Sequence, residues 1–125
     1  MTRPATTIAI AAILGLLAVI AGAAGTHALR NTLDADALRT FETAARFQMY
    51  HALALLATGM LSMRWQIRAL TIAAALFTLG TVLFSGSLYI LALTGIGIFG
   101  AIAPIGGICL MAGWATLAFA AFRTK

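Results

Sequence analysis

The chain has 125 residues, of which 62% are hydrophobic and only 9% charged. A water-soluble domain carries about 25% charged residues, so most of this surface faces something other than water. The net charge of +5 does not indicate nucleic acid, because the basic residues stand one or two at a time at the ends of apolar runs, and a phosphate-tracking patch would cluster them.

The first apolar run extends from Ile8 to Leu29, broken only by Thr26 and His27. That is long enough to span a bilayer and exceeds the apolar core of a signal peptide, so a retained crossing over about 7–28 is expected despite Arg3 and the small residues Ala21-Gly22-Ala23. Arg30 to Arg46 is the water-compatible segment and holds all three acids, Asp34, Asp36 and Glu42. Asp34 is placed to cap a helix, with Leu33 and Leu38 as a staple. Leu38, Phe41 and Ala45 share one face, and Glu42 with Arg46 forms an i,i+4 pair on another. An amphipathic helix over about 34–46, resting in the interface, is the expectation.

A short second crossing is expected over about 47–63, with Gln48, Tyr50 and His51 near headgroup level. Arg64-Trp65-Gln66-Ile67-Arg68 reads as a basic turn with an aromatic anchor. No charge then occurs until Arg123, which gives a third crossing over about 69–92 and a fourth over about 103–122. Thr94 to Gly100 is the turn between them, and Pro104 is placed at a helix start. The sequence thus predicts an all-α protein: one domain, a four-helix transmembrane bundle with an amphipathic interfacial helix between the first two crossings. Arg3, Arg64, Arg68, Arg123 and Lys125 would share one side, which the positive-inside rule makes cytoplasmic together with both termini.

Small residues recur every three or four positions: Ala11, Gly15, Ala18, Gly22 and Gly25 in the first crossing, Ala45, Ala52 and Gly59 in the second, Gly106, Cys109, Gly113, Thr116 and Ala120 in the fourth. Such stripes pack helices within one bundle, or face a second copy or a membrane partner. Cys109 is a small packing residue.

The candidate polar cluster is His27, Glu42, Arg46, Gln48, Tyr50 and His51, all placed near one interface. Its plain reading is mutual neutralisation and hydrogen bonds to backbone. Proton movement beside Glu42 is one rival, and haem ligation by His27 and His51 is another. A metal site lacks further ligands. Ser85 and Ser87 could bond across to a neighbouring helix, back to their own helix, or into a pocket. No catalytic triad order, nucleophile elbow or phosphate loop is present, so no enzymatic role and no cofactor is expected.

Four blocks carry a resemblance: Gly22 to Leu29, Phe41 to Leu56, Leu83 to Gly95 and Gly100 to Gly107. They are similar to a family of small bacterial inner-membrane proteins of unknown function, itself similar to eukaryotic transmembrane protein 256. Ala24 stands where that pattern has an aromatic residue, and Ala103 where it has Thr. The resemblance implies four helices in the cytoplasmic membrane and brings no catalytic residue. The expected role is an accessory, scaffold or lipid-interacting component, its partners membrane lipids and a second copy or another membrane protein. An oligomeric conduit for protons or a small solute is the alternative.

Overall fold

The computed structural model describes residues 3–124 and is all-α. Lys125, counted in the charge bias above, lies outside the described residues. Four helices follow in order: α1 (Pro4–His27), α2 (Ala35–Arg64), α3 (Arg68–Thr94) and α4 (Ile98–Phe122). Pro4 opens α1, where its missing N–H is no loss. Asp34 caps α2, its carboxylate accepting from the Ala37 N–H at 2.8 Å. α3 ends on Gly95 at φ 72°, a left-handed residue whose N–H closes back on the Leu91 carbonyl at 2.8 Å.

Two boundaries differ from expectation. The interfacial helix and the second crossing are not separate elements: α2 is one 30-residue helix. No glycine or proline occurs between Asp34 and Thr58, so nothing interrupts the hydrogen-bond ladder at Arg46. Pro104 does not start α4 but lies inside it, because only Gly95 to Gly97 separate α3 from α4. The residues one turn before Pro104 are Gly100 and Ala101, which reduce the clash its ring makes with the preceding turn.

α1, α3 and α4 are each long and apolar enough to cross a membrane; α2 fails that test of composition. Packing nonetheless lays α2 along the whole of α1. Gly59 sits against Thr7 and Ile8 at one end, Ala52 lies opposite Gly15 in the middle, and Phe41 covers Gly25 at the other end. α2 therefore runs side by side with α1 from Phe41 to Gly59.

The helices pack in chain order, α1 on α2, α2 on α3 and α3 on α4, and α1 and α4 share no comparable face. This departs from a closed square bundle and leaves lateral grooves on either side of the α2–α3 pair. Ala11, Leu55, Ala74, Phe77 and Leu110 join all four helices in one small apolar cluster. The α3–α4 contact is the tightest: a Cβ on Gly106 would stand 2.4 Å from the Phe84 backbone nitrogen. No side chain fits there, so glycine sets the spacing of these two helices.

The burial pattern is inverted relative to a soluble protein. Ala44 and Ala73 are fully buried, whereas Leu16, Val19, Met63, Ile108 and Met111 are about as exposed as surface residues. Small residues face inward and large apolar ones face outward, as suits a hydrocarbon solvent. The small-residue stripes are used within the chain: Ala11, Ala18, Gly25, Ala52, Gly106 and Gly113 are all buried. Arg3, Arg64, Arg68 and Arg123 mark one end of the stack. The α1–α2 loop, with Arg30 and Asp34, and the first turn of α2, with Asp36, mark the other.

Candidate functional site

α2 carries the polar side chains that tie the helices together. Gln48 is the hub. Its Nε2 donates to the Leu14 carbonyl of α1 at 2.8 Å, and its Oε1 accepts from the Tyr89 hydroxyl of α3 at 2.7 Å. One residue thus joins three helices. One turn earlier, Ser85 of α3 donates to the Ala44 carbonyl of α2 at 2.8 Å. Phe41 packs edge-on against the Tyr89 ring, with centroids 5.0 Å apart. Most other hydroxyls, such as Thr58 and Thr78, bond back to the carbonyl four residues earlier. Thr81 is the exception among the described residues: its hydroxyl is buried without a hydrogen-bond partner.

Three residues further along α2, His51 links to α4. Its Nε2 accepts from the Trp114 indole N–H at 3.1 Å, while its Nδ1 lies 2.7 Å from the Phe47 carbonyl. An indole can only donate and a carbonyl can only accept, so the pair of bonds assigns the proton to Nδ1. Both ring nitrogens are therefore engaged.

These positions revise the sequence reading of the cluster. Gln48 and His51 were expected at headgroup level, yet they sit near the middle of α2, opposite Gly15 in the middle of α1. The cause is the continuity of α2, which adds three turns before Phe47. His27 lies exposed in the last turn of α1, near the level of Phe41. Ten residues of helix separate Phe41 from His51, about 15 Å at 1.5 Å per residue. The two histidines do not converge, and His51 has no free nitrogen, so the pair cannot ligate one haem. Glu42 and Arg46 are both exposed on α2 and form no ion pair; Arg39 with Asp36 is the salt bridge among the described residues. Ser87 is buried and donates to the Leu83 carbonyl of its own helix. Ser85 and Ser87 are thus buried within the chain, whereas Glu42, Arg46 and Tyr50 are exposed on α2. No group of three or more metal-ligating side chains exists among the described residues.

The described residues instead form a groove between α2 and α4, with α3 as its base. Its volume is about 520 Å³; Phe47, Tyr50 and His51 of α2 and Gly107, Leu110, Met111 and Trp114 of α4 line it, with Phe84 of α3. The rings brace one another: Phe47 on Phe84 at 5.0 Å, Phe77 edge-on to Trp114 at 5.2 Å, His51 edge-on to Trp114 at 6.1 Å. Such offset and edge contacts hold the walls in place. No charged residue lines the groove. Tyr89 and Trp114 are not among the candidate site residues that the sequence gives. The signal for both was available: a phenol or indole well inside an apolar run needs a polar partner.

The family described as "Protein of unknown function (DUF423)" matches residues 21–107, from the end of α1 to the first half of α4. The chain belongs to the DUF423 family. Among its relatives, UPF0382 membrane protein SSP2132 of Staphylococcus saprophyticus is 47% identical over 93% of this chain and 96% of its own length. UPF0382 membrane protein YwdK of Bacillus subtilis is 41% identical, covering 93% and 95%. UPF0382 inner membrane protein YgdD of Escherichia coli is 37% identical, covering 92% and 88%. No solved structure matches this DUF423 chain. The matched span contains Gln48, His51, Ser85 and Tyr89, whereas Trp114 lies beyond it.

Proposed function

We propose that this protein crosses the bacterial cytoplasmic membrane four times, with both ends on the cytoplasmic side, and works without catalysis by holding an apolar ligand in the α2–α4 groove. Four crossings follow from treating α2 by its packing: it runs beside α1 over the full depth from Gly25 to Thr7, so a bilayer that contains one contains the other. At about 45 Å, 30 residues of helix exceed the ~30 Å hydrocarbon layer, leaving the acidic first turns of α2 at the far surface. Relatives that carry the name membrane or inner membrane protein support the compartment. Arg3, Arg64, Arg68 and Arg123 at one end, free of acids, support the orientation.

The observation that carries the ligand reading is the groove itself. It is uncharged, aromatic-walled and about 520 Å³, within the size range of small-molecule sites, and it opens sideways at mid-depth. The test is native mass spectrometry of gently extracted protein. A Cβ on Gly107 would meet Phe84 only at 3.7 Å, so Gly107→Leu directs a side chain into the groove without a backbone clash. Wild type should retain one apolar ligand per chain and Gly107→Leu should lose it. Equal retention by both would place the ligand elsewhere.

A further inference from the structure

The two ends of the stack differ in charge balance. Arg30, Arg39 and Arg46 share their end with Asp34, Asp36 and Glu42, and Arg39 pairs with Asp36. Those are all the acidic side chains of the chain, so Arg3, Arg64, Arg68 and Arg123 at the opposite end have none to pair with. Two of these four are also aligned with a groove. Arg68 opens α3, and Ala75, Leu79 and Val82 follow it at spacings of seven, four and three, which is one helix face. Arg3 caps α1, with Thr7 one turn on and Ile10 beyond it. Thr7 and Ile10 of α1 face Ala75, Leu79 and Val82 of α3 across a second groove of about 360 Å³. Each wall of this groove therefore carries an exposed arginine at its end. Leu79 and Val82 are more than half exposed, so no other helix covers that face. Val82 lies near the middle of α3, which confines the groove to the half of the helix nearest Arg68, the span of one leaflet.

We infer that the α1–α3 groove holds one anionic phospholipid of the cytoplasmic leaflet, its net-negative head paired with Arg3 and Arg68 and an acyl chain lying along Ala75, Leu79 and Val82. This rests on the four-crossing reading and not on the α2–α4 groove. Charge complementarity names the occupant. An uncharged lipid leaves both guanidiniums without an anion, and a zwitterionic head brings its own cation to an end that already holds four. A head of net negative charge satisfies both arginines, and basic clefts between helices on the cytoplasmic side suit such heads. Nothing in the chain competes for them: α1 and α3 both begin at this end with no acid in the first turn. A second copy in the same orientation fits poorly, because it brings four more arginines and no acid to the same level. A soluble anion has no use for the apolar walls below.

The test is lipid titration of the delipidated full chain in detergent micelles at low ionic strength, read by native mass spectrometry, with phosphatidylglycerol and phosphatidylcholine of identical chains. Phosphatidylglycerol should bind about thirtyfold more tightly, five- to sixfold for each arginine. Arg3→Gln with Arg68→Gln should erase that preference. Arg64→Gln with Arg123→Gln removes the same charge from the same end and should keep most of it. Ala75→Phe, checked for an unchanged melting temperature in lipid-free detergent, should weaken both lipids by filling the groove. Glycerol phosphate, a head without chains, should not displace the lipid. Equal affinity for the two lipids, or equal losses in the two arginine pairs, overturns the inference, because the arginines then act as diffuse charge. Unchanged affinity in Ala75→Phe, or displacement by glycerol phosphate, overturns it as well, because the acyl chain then plays no part. Gly107→Leu should leave the lipid preference intact. If the preference is missing while Gly107→Leu still loses an apolar ligand, only the α1–α3 site falls; if the preference is present and Gly107→Leu loses nothing, only the α2–α4 site falls.

Discussion

Gln48 and His51 are three residues apart on one helix, yet they organise opposite kinds of interface. Gln48 faces the α1–α2–α3 seam, which is closed: Gln48 is buried, both ends of its amide are bonded across helices, and small residues bring the backbones together. His51 faces α4 across a gap bridged by one indole–imidazole bond, with Trp114 half exposed beside it. In hydrocarbon, apolar burial does not drive helices together, so closure depends on close approach and hydrogen bonds. Where both are supplied the helices seal. Where α2 meets α4 neither is supplied in full, and a groove remains.

The most severe way to break this contrast is at Gly106, which sets the α3–α4 spacing beneath the groove. A Cβ there would stand 2.4 Å from the backbone of Phe84, and no rotamer relieves a clash with main chain. Gly106→Leu should destabilise the protein by about 3 kcal/mol or abolish folding. Thermal unfolding in detergent would check it; a melting temperature unchanged within a degree would mean that α4 is not docked on α3 as described.

Next in size is the hub of the seam. Gln48→Leu removes two interhelical bonds and leaves the Tyr89 hydroxyl buried without an acceptor. Interhelical hydrogen bonds in membranes average about 0.6 kcal/mol, and an orphaned buried hydroxyl adds about 1 kcal/mol or more, so a loss of about 2 kcal/mol is expected. Reversible unfolding in mixed micelles is the measurement. A loss below 0.5 kcal/mol, or an additive double-mutant cycle with Tyr89→Phe, would show that the seam is held by shape alone.

The seam and the groove also differ in how far the sequence revealed them. α1, α3 and α4 were legible because length and apolarity speak directly of hydrocarbon, and the small-residue spacing marked the buried faces of α1 and α4. Family membership was legible from four blocks of residues. The depth of the polar cluster was not. Arg39, Glu42 and Arg46 point to an interface and put the start of the crossing at Phe47, whereas the chain contains no residue that would interrupt the helix until Gly59. Once α2 is continuous, His51 falls near the middle of the helix and away from His27. The groove was invisible for a different reason. It exists because α1 and α4 pack on different partners, and no local pattern in either helix states which neighbour it will choose.

The smallest expected effect sharpens the comparison most. Trp114→Phe keeps an aromatic ring against Phe77, where the present centroids are 5.2 Å apart, and removes only the N–H that reaches His51. The imidazole keeps its Nδ1 bond to the Phe47 carbonyl, so the ring stays oriented and only Nε2 loses a donor. One interhelical hydrogen bond in a membrane is worth on average about 0.6 kcal/mol. The expected loss is about 0.5 kcal/mol, within reach of the same unfolding measurement, while the imidazole nitrogen chemical shifts should report Nε2 without its donor and Nδ1 still protonated. A loss as large as that of Gln48→Leu would mean the indole–imidazole bond closes α2 onto α4, and that the space between them is a packing interface rather than a place for a ligand.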